Sequence, residues 1–203
     1  MNNRNNASNL HSRVRKMTEV AFLAALIVVL QLLSYFIKLG PFNMSFVLIP
    51  IVIGGILYGQ STGAFLGGVF GIIVTIACVA GLDQGGFILF SANPFFCILI
   101  CMAKGILCGL LSALVFKLLS KGNKKSFPAM LISAGICPIV NTALFCIGMT
   151  VFYYDTLLEW AGGTAVFYYM FTTLIGVNFV IEFLLNLILG PSIAYPIIKM
   201  KNN

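Results

Sequence analysis

Charged residues are scarce in this chain. They make up only 8% of its 203 residues, whereas soluble globular domains carry about 25%. Hydrophobic residues make up 60%. So little charge cannot cover the surface of a water-soluble domain, which excludes a separate soluble catalytic domain. Because one membrane-spanning helix needs roughly 20 apolar residues, the composition accounts for about six spans in a lipid bilayer.

Histidine is nearly absent. The single one, His11, lies in the polar amino-terminal segment, so the membrane part has no histidine to act as a general base or a metal ligand. The chain also lacks an H-E-x-x-H motif, a G-x-x-x-x-G-K-[ST] loop and a paired acidic motif. These absences argue against a metalloprotease, an ATPase and a two-carboxylate hydrolase. We therefore expect a protein that binds or conducts something, with no catalytic residue and no cofactor.

The cysteines do not form a disulfide framework of the secreted kind, because all of them fall in apolar segments. They are Cys78, Cys97, Cys101, Cys108, Cys137 and Cys146. Cys97 and Cys101 share a helix face at i,i+4, but no histidine or carboxylate lies near them in sequence. The sequence therefore predicts small buried side chains and no metal site.

Apolar runs separated by polar, glycine and proline residues predict an all-α integral membrane protein with six transmembrane helices. The predicted spans are about 17–37, 42–58, 63–82, 93–119, 127–153 and 166–197. A loop with Asp155, Glu159 and Trp160 is expected before the last span. Residues 17–199 then form one membrane domain, between a basic tail (1–16) and a short tail (200–203).

The distribution of basic residues predicts the orientation. With both termini in the cytoplasm, ten of the twelve fall on that side. These are Arg4, Arg13, Arg15, Lys16, Lys117, Lys121, Lys124, Lys125, Lys199 and Lys201. Lys38 alone lies outside and Lys104 lies within the membrane, as the positive-inside rule favours. Because the basic residues flank hydrophobic segments, we expect no nucleic-acid partner.

Small residues recur at helical spacing in two spans. Gly63, Gly67 and Gly71 give one flat face, which favours close packing against a neighbouring helix. Ala21 and Ala25 form a similar but weaker pattern in the first span.

Polar groups inside a membrane are costly and need an explanation. Lys104, Asn141 and Glu182 lie 13, 16 and 17 residues from cytoplasmic lysines, which places all three roughly 20 to 25 Å deep. Asn178, Glu182 and Asn186 form an i,i+4 ladder in the last span. Two interpretations stay open: a buried Lys104–Glu182 pair that only joins helices, or a ligand-lined cavity that includes Asn141 and Asn178.

Further candidate ligand groups lie nearer the outer side. They are Asn43, Gln84, Asn93 and Trp160. Asn93 precedes Pro94, which is also a common helix-start signal, so a purely capping role is the alternative.

Several short segments, taken in order, resemble a substrate-binding (S) subunit of an energy-coupling factor (ECF) vitamin transporter. They are 17–26 (MTEVAFLAAL), 46–59 (FVLIPIVIGGILYG), 63–67 (GAFLG), Phe70-Gly71, Asn93-Pro94, Lys104-Gly105 and Asn141-Thr142. The chain is most similar to the branch that includes pantothenate carriers. Many of those members have arginine where this chain has Lys104.

The resemblance implies six spans in the plasma membrane and capture of a small water-soluble vitamin outside, with pantothenate the leading candidate. It also implies docking on a transmembrane coupling subunit through Ala21 and Ala25, with two cytoplasmic ATPases supplying energy. An autonomous small carrier or channel and a membrane-embedded enzyme are the alternatives. Inverted repeats would favour the autonomous carrier, and the two halves show no convincing self-similarity.

Overall fold

The computed structural model describes residues 2–35, 46–120, 122–123 and 125–201. Helices dominate these residues, and no strand occurs among them. The helices are α1 (Asn2–Ser34), α2 (Leu48–Tyr58), α3 (Gln60–Ala80), α4 (Gln84–Ala92), α5 (Pro94–Ser120), α6 (Phe127–Phe152), α7 (Tyr154–Ala161), α8 (Val166–Tyr169) and α9 (Gly176–Lys201). A π-helical segment, Met170–Ile175, joins α8 to α9.

Five helical segments in the described part of the chain are long and apolar enough to cross a membrane. They are Arg13–Ser34, Gln60–Ala80, Pro94–Ser120, Phe127–Phe152 and Val166–Met200. They confirm a multi-pass helical protein and match five of the six predicted spans. The described part of the other span, predicted at 42–58, is α2, whose 11 residues are too few for a full crossing. The sixth crossing and the cytoplasmic termini stay predictions.

The loop expected around Asp155, Glu159 and Trp160 is wrong, because these residues lie in α7. Leu157 and Ala161, four residues apart, are buried on one face of this short helix. Packing of that face stabilises a helix of eight residues, which is too short to cross a membrane. The expected break after the third span is confirmed, since Gly81 ends α3 in the left-handed conformation with φ of 72°.

Glycines hold α3 and α5 in close contact. A methyl group on Gly67 would overlap the backbone carbonyl of Gly105, and one on Gly63 would lie 2.5 Å from the carbonyl oxygen of Gly109. A Cβ on Gly71 would lie 2.8 Å from the carbonyl oxygen of Cys101. The packing predicted for the Gly63, Gly67 and Gly71 face is confirmed, and its partner is α5.

Two serines join α5 to α6. Ser112 Oγ donates to the carbonyl of Ser133 at 3.0 Å, and Ser133 Oγ donates to the carbonyl of Ser112 at 2.8 Å. Lys104 lies eight residues before Ser112, and Asn141 lies eight residues after Ser133. The two helices follow one another in the chain and pack side by side in opposite directions. The two serine hydrogen bonds therefore bring Lys104 and Asn141 to a similar depth.

The outward faces of the long helices carry large apolar side chains. Phe22, Ile72, Phe95 and Ile147 are all more than half exposed. Such an apolar surface suits lipid contact. Asn141 and Glu182, in contrast, are buried on inward faces.

Candidate functional site

A partly open polar cavity lies among α1, α3, α5, α6 and α9. It has about 100 Å³ of space open to the centres of water-sized molecules. Its walls are formed by Gln31, Phe70, Val74, Asp83, Lys104, Asn141, Thr142, Phe145, Leu174, Ile175, Asn178, Phe179 and Glu182. Four residues singled out in the sequence therefore meet here: Lys104, Asn141, Asn178 and Glu182.

Lys104 supplies the positive charge of the cavity. Its ammonium nitrogen lies 5.4 Å from the centroid of the Phe145 ring and 5.9 Å from that of the Phe70 ring. The negative faces of aromatic rings attract a cation at such distances. The two rings therefore help to stabilise the charge of this lysine.

Asn141 presents an amide to the same cavity from α6. The residue is 9% exposed, and within the described part of the chain no donor reaches its Oδ1. Buried amide oxygens are normally hydrogen-bonded, so this atom is suited to accept from a ligand or an ordered water. Pro138, one turn earlier, lacks a backbone N–H and so leaves the carbonyl of residue 134 without its usual helical donor.

Glu182 and Asn178 reach the cavity from α9. Glu182 is 7% exposed, and Asn186, one turn further on, donates through Nδ2 to the Glu182 carbonyl at 2.9 Å. The ladder thus faces the protein interior, as its polarity predicted, but Asn186 lies beyond the cavity. The π-helical segment ends three residues before Asn178, and π-helical turns are frequent at functional sites.

Asp83 places a second carboxyl group in the cavity wall. It precedes α4 as its N-cap and accepts a hydrogen bond from the Gly86 backbone N–H at 3.2 Å. Burial raises the pKa of this carboxyl group, while the Gly86 hydrogen bond and the positive charge of Lys104 act in the opposite direction.

Three other predicted ligand residues lie away from this cavity. Gln84 is exposed at the start of α4, and Trp160 is half-buried on α7. Asn93 caps α5, since its Oδ1 accepts from the Phe96 N–H at 3.3 Å, and its carbonyl accepts from the Tyr153 hydroxyl at 2.5 Å. The capping alternative for Asn93 is therefore observed. Asn43 lies outside the described residues, and a binding role for these four stays a prediction.

The sequence did not single out three polar residues of the cavity as ligand groups: Gln31, Asp83 and Thr142. Gln31 is 5% exposed near the end of an apolar span. The cost of burying a polar group in a membrane helix was the signal that could have identified it. Asp83 directly follows the third predicted span, and its inward position depends on how α4 folds back.

Ala21 and Ala25, the predicted coupling residues, are exposed on α1. A groove runs beside Ala21 between α1 and the start of α3. Its lining residues are Arg13, Lys16, Met17, Val20, Ala21, Ala24, Ser61, Thr62 and Phe65. This surface is apolar along the helix and basic at one end.

Residues 15–198 match the family model described as "ECF transporter, substrate-specific component". The chain is also 28% identical over 202 residues to the pantothenic acid transporter PanT of Lactococcus lactis subsp. cremoris (strain MG1363). That alignment covers 93% of this chain and 97% of the relative.

Proposed function

This chain belongs to the family of ECF transporter substrate-specific components, and we propose that it captures pantothenate and passes it inward with an ECF module. The family and the relative support vitamin uptake by a multi-pass membrane protein, which is a transport component and not an enzyme. Pantothenate as the vitamin, the module as the partner and the plasma membrane as the location are the parts we propose.

The observation that carries the substrate proposal is the position of Lys104 in one cavity with Asn141, Asn178 and Glu182. Pantothenate has a carboxylate, an amide and two hydroxyl groups joined by a short apolar skeleton. Lys104 offers a charge-assisted hydrogen bond to the carboxylate. The asparagine amides match the vitamin's amide, and the carboxyl groups of Glu182 and Asp83 accept from hydroxyls.

Apolar residues complete the match. Val74, Leu174, Ile175 and Phe179 line the cavity next to these polar groups. Mixed walls of this kind are typical of small-molecule sites, where a few polar groups fix the orientation and apolar contacts supply affinity. Whether Lys104 also contacts Glu182 stays a prediction.

The coupling proposal rests on the exposed face of α1. Ala21 and Ala25 present small side chains, which allow another helix to approach closely. We assign this face to the transmembrane coupling subunit. Two cytoplasmic ATPases of the same module would supply the energy, in keeping with a sequence that carries no nucleotide-binding loop.

Binding to the purified protein tests the substrate proposal. The protein in lipid nanodiscs is titrated calorimetrically with pantothenate, riboflavin, thiamine and biotin, and its co-purified small molecules are identified by mass spectrometry. We expect saturable binding of pantothenate alone. If another vitamin binds and pantothenate does not, the proposal that pantothenate is the substrate is contradicted.

Uptake into vesicles tests whether the chain needs an ECF module for transport. Pantothenate uptake is expected only when the coupling subunit and ATPases are reconstituted with the chain and ATP is present. Uptake by this chain alone would favour the autonomous carrier.

Impermeant labelling tests the orientation. In a cysteine-free background, Glu159→Cys should react on intact cells and Asn123→Cys should not. The reverse pattern would contradict the cytoplasmic location of both termini.

A further inference from the structure

Three cysteines from two helices meet in the interior. Cys78 lies on α3, and Cys97 and Cys101 lie one turn apart on α5. Their Sγ atoms all lie within 4.8 Å of one another. The three side chains are 2%, 3% and 6% exposed. The sequence placed only Cys97 and Cys101 on one face; the close packing of α3 on α5 adds the third sulfur.

The cluster has its own small space beside the cavity. The three thiols line a void of about 30 Å³ together with Asp83 and Lys104. The backbone of Gly86 closes one side: its carbonyl accepts from the Cys97 thiol at 3.9 Å, and a methyl group there would overlap the sulfur of Cys78. The sulfurs therefore face a void of roughly the size of a single atom or water.

We propose that Cys78, Cys97 and Cys101 form a site for one soft monovalent cation of the Cu(I) class. Thiolates are soft ligands that select Cu(I) over hard cations such as Mg²⁺ and Ca²⁺. Three sulfurs within 4.8 Å of one another offer three ligands to one ion, whereas a structural zinc site takes four. The proposal does not depend on which vitamin the chain carries.

The charges of the wall also suit such an ion. Each thiol that binds the cation as a thiolate releases its proton to solvent, so the occupied site gains negative charge. The Lys104 ammonium in the same wall has the opposite sign. It therefore offsets part of the cost of burying the thiolates.

Competition with a chromophoric Cu(I) chelator tests the site. The full chain in detergent, kept anaerobic with a reductant, is titrated with Cu(I) buffered by bathocuproine disulfonate. We expect one Cu(I) per chain. Cys78→Ser, Cys97→Ser and Cys101→Ser should each weaken binding at least roughly tenfold. Cys146→Ser is the matched control, because this half-buried cysteine on α6 lies outside the cluster. This variant should bind Cu(I) as tightly as the unmodified protein.

X-ray absorption at the copper edge of the unmodified protein keeps the test independent of how the variants fold. Three sulfur neighbours are expected. Fewer than three, no stoichiometric binding, or equal binding by the Cys78→Ser and Cys146→Ser proteins would overturn the proposal.

Discussion

The Lys104 ammonium nitrogen lies 5.4 Å from the centre of the Phe145 ring, on the wall of the polar cavity. The face of an aromatic ring attracts a cation without taking up its N–H donors. The Lys104 ammonium therefore keeps donors for an anionic group of a ligand in the cavity.

Lys104→Met should weaken pantothenate binding by about 2 to 5 kcal/mol, because the vitamin's carboxylate then loses its charged partner in the cavity. Lys104→Arg should keep much of the affinity, since it retains the charge. Lys117→Met is the control: this exposed lysine lies in the last turn of α5. Calorimetric titration measures all three, and unchanged affinity in Lys104→Met would remove this residue from the site.

The double variant Lys104→Met/Glu182→Leu separates ligand binding from helix joining. Apolar replacement of a buried ion pair is often neutral or stabilising, so a purely structural pair predicts an unchanged fold and unchanged affinity. A role in ligand binding predicts a stable protein that has lost affinity, and this is the result we expect. Thermal unfolding and titration of the same sample distinguish the two.

Asn141→Ala should reduce affinity by about 1 to 3 kcal/mol, because a ligand donor loses its acceptor in a buried site. Asn186→Ala is a suitable comparison, since Asn186 is 1% exposed and lies beyond the cavity. That variant should lower the temperature of unfolding and leave affinity nearly unchanged. Equal losses of affinity in the two variants would mean that Asn141 acts only through packing.

Binding of a carboxylate vitamin should depend on pH through Asp83. Burial raises the pKa of this residue, so its ionised form is disfavoured in the folded protein. Between the ordinary and the raised pKa, the free energy of unfolding falls as the pH rises, because the folded state holds the extra proton. As the pH falls through the raised value, the cavity loses a negative charge and affinity for an anion should increase.

The Asp83→Asn variant isolates this effect from protonation of the vitamin itself. Asparagine retains an oxygen that can accept from Gly86 N–H at the N-cap of α4. Affinities are measured from about pH 4.5 to 8, which spans the carboxyl range. We expect the affinity of the variant to vary less with pH. If the two pH profiles of affinity superimpose, Asp83 does not contribute to the pH dependence of binding.

Ala25→Trp should block transport and spare binding. Ala25 is exposed on α1, so a large side chain there fits the isolated subunit but prevents close approach of another helix. Pantothenate titration and ATP-driven uptake are measured on the same preparation. Leu33→Trp, about two turns further along at an exposed position on a different side of the helix, shows whether bulk elsewhere on α1 has the same effect. Normal uptake by Ala25→Trp would exclude this face from coupling.

Local patterns in the sequence determined the helical membrane class and most helix ends. Hydropathy is a property of consecutive residues, and glycine, proline and capping residues mark where helices stop, as at Gly81 and Asn93. Distance along a helix from flanking lysines also placed Lys104, Asn141 and Glu182 at one depth. These features depend on the 1.5 Å rise per residue and on the cost of burying charge.

Only the tertiary structure decided which faces meet. Asp83 enters the cavity because α4 folds back, and Cys78 joins Cys97 and Cys101 because glycines let α3 approach α5 closely. Helix α7 forms because Leu157 finds a buried position. A residue's depth follows from its place along one helix, but its neighbours across a helix interface depend on the rotation and separation of two helices. Those are set by side-chain packing between segments distant in the chain.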